Sequence, residues 1–256
     1  MKMKAIYSMF LMVAAVALLA ISVPVHATKM DNRIESSAKK SYVFKTYLKD
    51  DDIKIQSKDG AVTLTGIVAN EYHKSLAQET LAGLPGVKSV NNKLEVKGEH
   101  PAEKSDAWIT TKVKTTLLYH RSVSVVTEVN TKDGIVTLKG EADNQAQKDL
   151  TTEYAMDIDG VKDVKNEMTV SKTTKKKSRT TGEKIDDASI TSLVKMTLLL
   201  HRSTSALNTT VATKRGVVTL SGKAGNAAEK DLASKLVNDV RGVKSVKNQM
   251  TIEKSK

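Results

Sequence analysis

Valine and leucine alternate with threonine in three short runs bounded by glycine: Gly60-Ala-Val-Thr-Leu-Thr-Gly66, Gly134-Ile-Val-Thr-Leu-Lys-Gly140 and Gly216-Val-Val-Thr-Leu-Ser-Gly222. A period of two predicts a half-buried strand. In the second copy Thr127, Val129 and Thr131 alternate with polar residues just before Asp133-Gly134, a dipeptide suited to a tight turn with positive φ, so the two runs read as a hairpin. The period then changes to that of a helix. Asn144 with Gln147 three positions on makes a capping box, and Ala146, Leu150, Tyr154, Ala155 and Ile158 form an apolar stripe. Upstream, Asp106 is read as the cap of another helix, on which Ile109, Val113, Thr116 and Leu117 share a face.

Each unit closes with one more pattern: Gly86-Val87 with Val90, Asn92 and Leu94; Gly160-Val161 with Val164, Asn166 and Met168; Gly242-Val243 with Val246, Asn248 and Met250. From Gly60 to Gly86, Gly134 to Gly160 and Gly216 to Gly242 the interval is 26 residues, which predicts one supersecondary design repeated without insertion. The fold class is therefore α+β: three tandem α-β-β-α-β domains, each a small three-stranded sheet packed by two helices. They fall at residues 28–98, 105–171 and 186–254, with a basic linker over 172–185. The third copy matches the second, with Asp187, Ile190, Val194 and Leu198 in helix one and Asn226 with Glu229 at the cap of helix two. In the first copy Ile34, Ala38 and Tyr42 carry helix one, and Asn32 is its candidate cap. The short connection around Pro101 predicts that units one and two pair, and the lysine-rich stretch after Ser171 predicts a looser tether for unit three.

Residues 1–27 read as a leader: Lys2 and Lys4 precede an apolar run from Ala5 to Val23, and Val25-His26-Ala27 fits a processing signal, with cleavage expected after Ala27. The chain has no cysteine, so lipid attachment at a processed cysteine is excluded and disulfides are absent. An exported, periplasmic protein that is not a lipoprotein is expected. The net charge of +12 then points to anionic headgroups and wall polymers rather than nucleic acid.

The α-β-β-α-β order, the Gly-x-Val-x-Leu-x-Gly strand and the Gly-Val-x-x-Val-x-Asn-x-Leu/Met close resemble the BON-domain family (bacterial OsmY and nodulation). The leader is similar to that of its osmotically inducible periplasmic members, and Trp108-Ile-Thr-Thr-Lys-Val-Lys is similar to helix one of the second domain in dual-BON outer-membrane lipoproteins. The resemblance implies a non-catalytic envelope protein that binds phospholipid and responds to osmotic stress.

Trp108, Lys112, Thr115 and Tyr119 share one side of their helix, an aromatic-basic stripe that suits either a headgroup boundary or packing between units. His120-Arg121-Ser122 recurs as His201-Arg202-Ser203 at the end of helix one; a cation there complements the helix dipole or binds phosphate. The candidate lipid-binding residues are Trp108, Lys112, Thr115, Tyr119, His120 and Arg121, with Lys175, Lys176 and Lys177 of the linker. The histidines lack metal-ligand spacing, and histidine and serine two positions apart lack an orienting carboxylate and an oxyanion nest, so no metal, cofactor or enzymatic activity is expected. The expected function is an envelope stress protein that binds anionic phospholipid surfaces. The alternative is a periplasmic chaperone or adaptor for client proteins.

Overall fold

The computed structural model describes residues 25–98, 101–123, 127–171, 184–204 and 209–252, with side chains from Lys29 onward. Unit one comprises α1 (Val25–Lys40), α2 (Tyr42–Thr46), β1 (Asp52–Lys58), β2 (Ala61–Val68), α3 (Glu71–Ala82) and β3 (Ser89–Val96). Unit two comprises α4 (Asp106–Tyr119), β4 (Glu128–Lys132), β5 (Ile135–Lys139), β6 (Glu141–Ala142), α5 (Gln145–Met156), β7 (Asp163–Asn166) and β8 (Thr169–Val170). Unit three comprises α6 (Asp187–Leu200), β9 (Thr209–Lys214), β10 (Val217–Ala224), α7 (Ala227–Asn238), β11 (Ser245–Asn248) and β12 (Thr251–Ile252).

Each unit is a hairpin whose second strand also takes the last strand in parallel, so the central strand is the glycine-bounded run: β1-β2-β3, β4-β5-β7 and β9-β10-β11. The turn residues Asp133 (φ 55°) and Gly134 (φ 80°) both have positive φ, as a two-residue hairpin turn of this hand requires. At the far end of β2, a Cβ on Gly66 would lie 1.9 Å from the carbonyl oxygen of Asp52, so only glycine fits beside the neighbouring strand.

The recurrent asparagine fastens the last strand to helix two. Asn166 Nδ2 donates to the Lys148 carbonyl and the Thr152 hydroxyl, both at 2.8 Å, while its Oδ1 accepts from Met168 N at 3.0 Å. Asn92 and Asn248 repeat the arrangement.

Helix one departs from expectation in all three units. The caps are Ser105 and Asp186, one residue before Asp106 and Asp187. The carboxylates of Asp106 and Asp187 accept instead from the hairpin-turn amides, Asp106 from Asp133 N and Gly134 N at 2.8 and 2.9 Å. In unit one Asp31 does this work, and Asn32 stands exposed inside α1 rather than capping it. The buried Ser41 then divides the helix, donating to the Ala38 carbonyl and capping α2 through Phe44 N.

The pairing of units is the main correction to the sequence reading. Units one and three share one hydrophobic core, and unit two has its own. The contact runs along α3 and α6, where Thr80 donates to Ser192 (2.9 Å) and Lys195 meets Glu79 (2.7 Å). Val43 N and Tyr42 N donate to Ser189 and Asp186 at the start of α6. The cause lies in α6, which is apolar on two sides: Ile190, Val194 and Leu198 face its own unit, and Leu193, Met196 and Leu200 are buried as well. A helix apolar on two sides needs two partners, and that requirement overrides the length of the linker.

Candidate functional site

On α4 the positions matching Leu193, Met196 and Leu200 of α6 are Lys112, Thr115 and Tyr119, and Trp108 stands where unit three has Ser189. The side of helix one that docks unit three onto unit one is thus, in unit two, the aromatic-basic stripe. Trp108 is half-buried against the core of unit two, and Nζ of Lys112 lies 4.5 Å above its ring. Burial lowers the Lys112 ammonium from its ordinary value, and Asp159 and Glu103 oppose this from a distance.

The stripe does not act as one surface. Thr115 is buried and Tyr119 is 1% exposed, its ring edge-on to Tyr47 of unit one at 5.4 Å. Tyr119 thus packs between units, and with Thr115 buried as well the two are withdrawn from the lipid-facing stripe. Trp108, Thr111 and Lys112 instead line a cleft of about 620 Å³ at the junction of all three units. Opposite them stand Tyr72 at the start of α3, Val96 at the end of β3 and Leu199 of α6. Leu199 is 52% exposed, and burial pushes the Tyr72 hydroxyl up to about 12. Lys97, Glu71 and Glu103 add charges of both signs to the lining.

His120 leaves the surface entirely. It is 0% exposed and stacks on Tyr154 of α5 with ring centres 3.9 Å apart. Its Nδ1 lies 3.3 Å from Asp239 of unit three without hydrogen-bond alignment, whereas His201 of unit three makes a 2.9 Å bond to Asp157 of unit two. The serines complete the exchange: Ser122 bonds Asp239 and Ser203 bonds Asp157. Backbone bridges accompany them, Arg121 N donating to the Asp239 carbonyl at 2.9 Å and Arg202 N to that of Asp157 at 3.0 Å. Each His-Arg-Ser therefore grips the acid that ends helix two of the other unit. Arg121 itself is exposed, 3.7 Å from Asp239. Burial pushes the Asp239 and Asp157 carboxyls up, but His120 and the Ser122 hydroxyl beside Asp239, and the His201 and Ser203 bonds to Asp157, outweigh it and hold both below the ordinary value.

Lys175, Lys176 and Lys177 lie outside the described residues. Of the candidate lipid-binding residues on α4 and at its end, the fold brings together Trp108 and Lys112 and separates them from Tyr119 and His120. Tyr72 and Leu199 join the site from other units, and no local pattern in the sequence marks them. Asp157 and Asp239 had a signal: they recur wherever His-Arg-Ser does, and unit one, which lacks that tripeptide, has Gly83 at their place. Among the described residues no group of three or more His, Cys, Asp or Glu could hold a metal ion, and no helix is long and apolar enough to cross a membrane.

Comparison with known proteins places this architecture. The chain is similar to the osmotically-inducible protein Y of Escherichia coli (strain K12), 34% identical over 143 residues that cover 54% of this chain and 71% of that one. It is also similar to an uncharacterized protein in the gshII 5' region of Anaplasma centrale, 29% identical over 151 residues, 59% of this chain and 97% of the other. Among solved structures it matches CdsD, a structural protein of the Type III secretion system of Chlamydia trachomatis, with TM-score 0.25 and 16% identity over 88% of this chain and 92% of that one, a likeness too weak to carry an argument. The family model described as BON domain matches residues 30–98, 105–172 and 186–254, the three units derived above, and the chain belongs to the BON-domain family.

Proposed function

We propose that this is an exported osmotic-stress protein of the cell envelope that docks on anionic phospholipid surfaces without catalysing a reaction. The observation that carries the reading is the Trp108-Lys112 pair: a cation resting on an indole, on the side of α4 whose counterpart in α6 is consumed by packing, and here facing a cleft beside exposed Leu199. An amphipathic ring next to a cation suits a headgroup boundary. Arg121 at the surface, the linker lysines and the net positive charge of the chain supply long-range attraction. The similarity to the osmotically-inducible protein supports the stress setting and the periplasmic location, and cleavage after Ala27 is part of the proposal.

Flotation with vesicles tests it. Mature protein should float with phosphatidylglycerol-containing vesicles at low salt, and less so at high salt or with phosphatidylcholine alone; equal recovery in all three conditions overturns the reading. A second reading, a chaperone for unfolded clients, draws on the apolar part of the same cleft. It requires suppression of client aggregation that persists in high salt and survives loss of vesicle binding.

A further inference from the structure

Two histidines from different domains meet at one buried point. Nε2 of His120 lies 3.1 Å from Nε2 of His201, and the residues are 0% and 1% exposed. At that distance one nitrogen donates and the other accepts, so a single proton lies between them. The remaining nitrogens face carboxylates: Nδ1 of His201 bonds Asp157 at 2.9 Å, and Nδ1 of His120 lies 3.3 Å from Asp239 without hydrogen-bond alignment. The bond between His201 and Asp157 is short, and His120 stacks on Tyr154, so both rings are held in place with one donor and one acceptor at the contact.

We propose that the His120–His201 pair is a proton-operated latch between the second and third domains, closed while the rings share one proton and opened when a second proton enters. A second proton would set two N–H groups face to face with no acceptor between them and place charge where water is excluded. The surroundings cannot neutralise it. From the ends of α4 and α6, Arg121 and Arg202 lie 3.7 and 3.6 Å from Asp239 and Asp157 and already balance those acids. Beyond α7, Arg241 faces the same cluster, donating to the Leu118 carbonyl, and Tyr154 of α5 adds only a hydroxyl bonded to Asp239.

The pH window follows from the groups present. Burial first, with the charge of His201 adding to it, lowers the His120 imidazole despite Asp239. A group depressed in the closed state stabilises that state above its free value, about 6.5, and the stabilisation is lost as pH falls below it. Asp157 and Asp239 are themselves depressed and stay ionised down to about 3.9 and beyond. Between those limits the two carboxylates keep their charge and His120 is the group that gains a proton. The latch is independent of the lipid reading and would operate whether or not the cleft binds anything.

The chain has no cysteine, so Lys165→Cys with Lys247→Cys, both at exposed positions, gives one clean pair for nitroxide labels on the two domains. The expected distance distribution is narrow at pH 7.5 and broad or longer at pH 4.5, and identical at the two pH values in a His120→Gln, His201→Gln background. An unchanged distribution in the parent overturns the proposal, and so does a response that survives in the double variant. Should the double variant lose its circular dichroism signal, the parent still decides: a ¹⁵N–¹⁵N coupling across the Nε2···Nε2 contact at pH 7.5 is expected, and its absence overturns the shared proton.

Discussion

Gly83 at the end of α3 rests against Ala188 at the start of α6, so closely that a Cβ on Gly83 would sit 3.4 Å from the Cα and Cβ of Ala188. The first and third domains meet here with no side chain between them. Gly83 has φ −82°, which any residue adopts, so Gly83→Ala makes an ordinary contact and should change stability by less than about 0.5 kcal/mol. Gly83→Leu has no room and should cost about 1–3 kcal/mol, read as a lower thermal midpoint for the joint core of these two domains.

Asn166 holds β7 to α5 with three bonds. Asn166→Ala should destabilise the second domain by about 1–3 kcal/mol, because the Met168 amide loses its acceptor beside the core. Amide exchange should quicken at Met168 and across β7 while the first domain is unaffected.

Tyr119 and Lys112 lie about two turns apart on α4 and should separate cleanly by experiment. Tyr119→Ala removes a buried ring packed on Tyr47 and should cost about 3–5 kcal/mol in thermal or denaturant unfolding. Lys112→Glu loses a cation–π contact of about 0.5–1 kcal/mol and should leave the midpoint nearly unchanged. Its effect should appear on anionic vesicles, where reversing one charge costs about 2 kcal/mol, roughly a 30-fold weaker affinity.

Trp108 is the sole tryptophan and lies at the cleft. Brominated acyl chains in phosphatidylglycerol vesicles should quench its fluorescence at low salt, and soluble protein mixed with brominated phosphatidylcholine should not be quenched.

Asp31 ties α1 to the first hairpin, and its carboxyl is held below the ordinary value by the Ser57 hydroxyl and the Gly60 amide, with burial opposing and the Asp59 amide assisting. A depressed carboxyl stabilises the fold above its free value, about 3.9, and that contribution disappears as pH falls through the folded-state value. Protection of the Gly60 amide from exchange should hold at pH 5 and decline toward pH 2. Asp31→Asn should remove that dependence.

The hairpins, the second helices and the closing strands were legible because their signals are local: Asp133-Gly134 for the turn, Asn144 for the cap, the fixed spacing to Asn166. Helix starts slipped by one residue because Ser105 and Asp106 are both good caps, and only the hairpin amides decide which does which work. The arrangement of the domains was misread from linker length, although Leu193, Met196 and Leu200 already marked a second apolar side on α6. His120 and His201 were read as partners of their own helix ends. Their burial comes from meeting each other across 81 residues, a relation without a local trace. The cleft was half legible, as Trp108 and Lys112 share a helix, but Tyr72 and Leu199 arrive from other domains.

The joint core of the first and third domains fixes an order of events along the chain. The α3 face that receives α6 is complete once the first domain has emerged, yet its cover is encoded about a hundred residues further on, after the whole second domain. During synthesis the leading portion carries an adhesive flank until the tail catches up. A premature stop after residue 171 would therefore yield a sticky two-domain fragment rather than a smaller working copy.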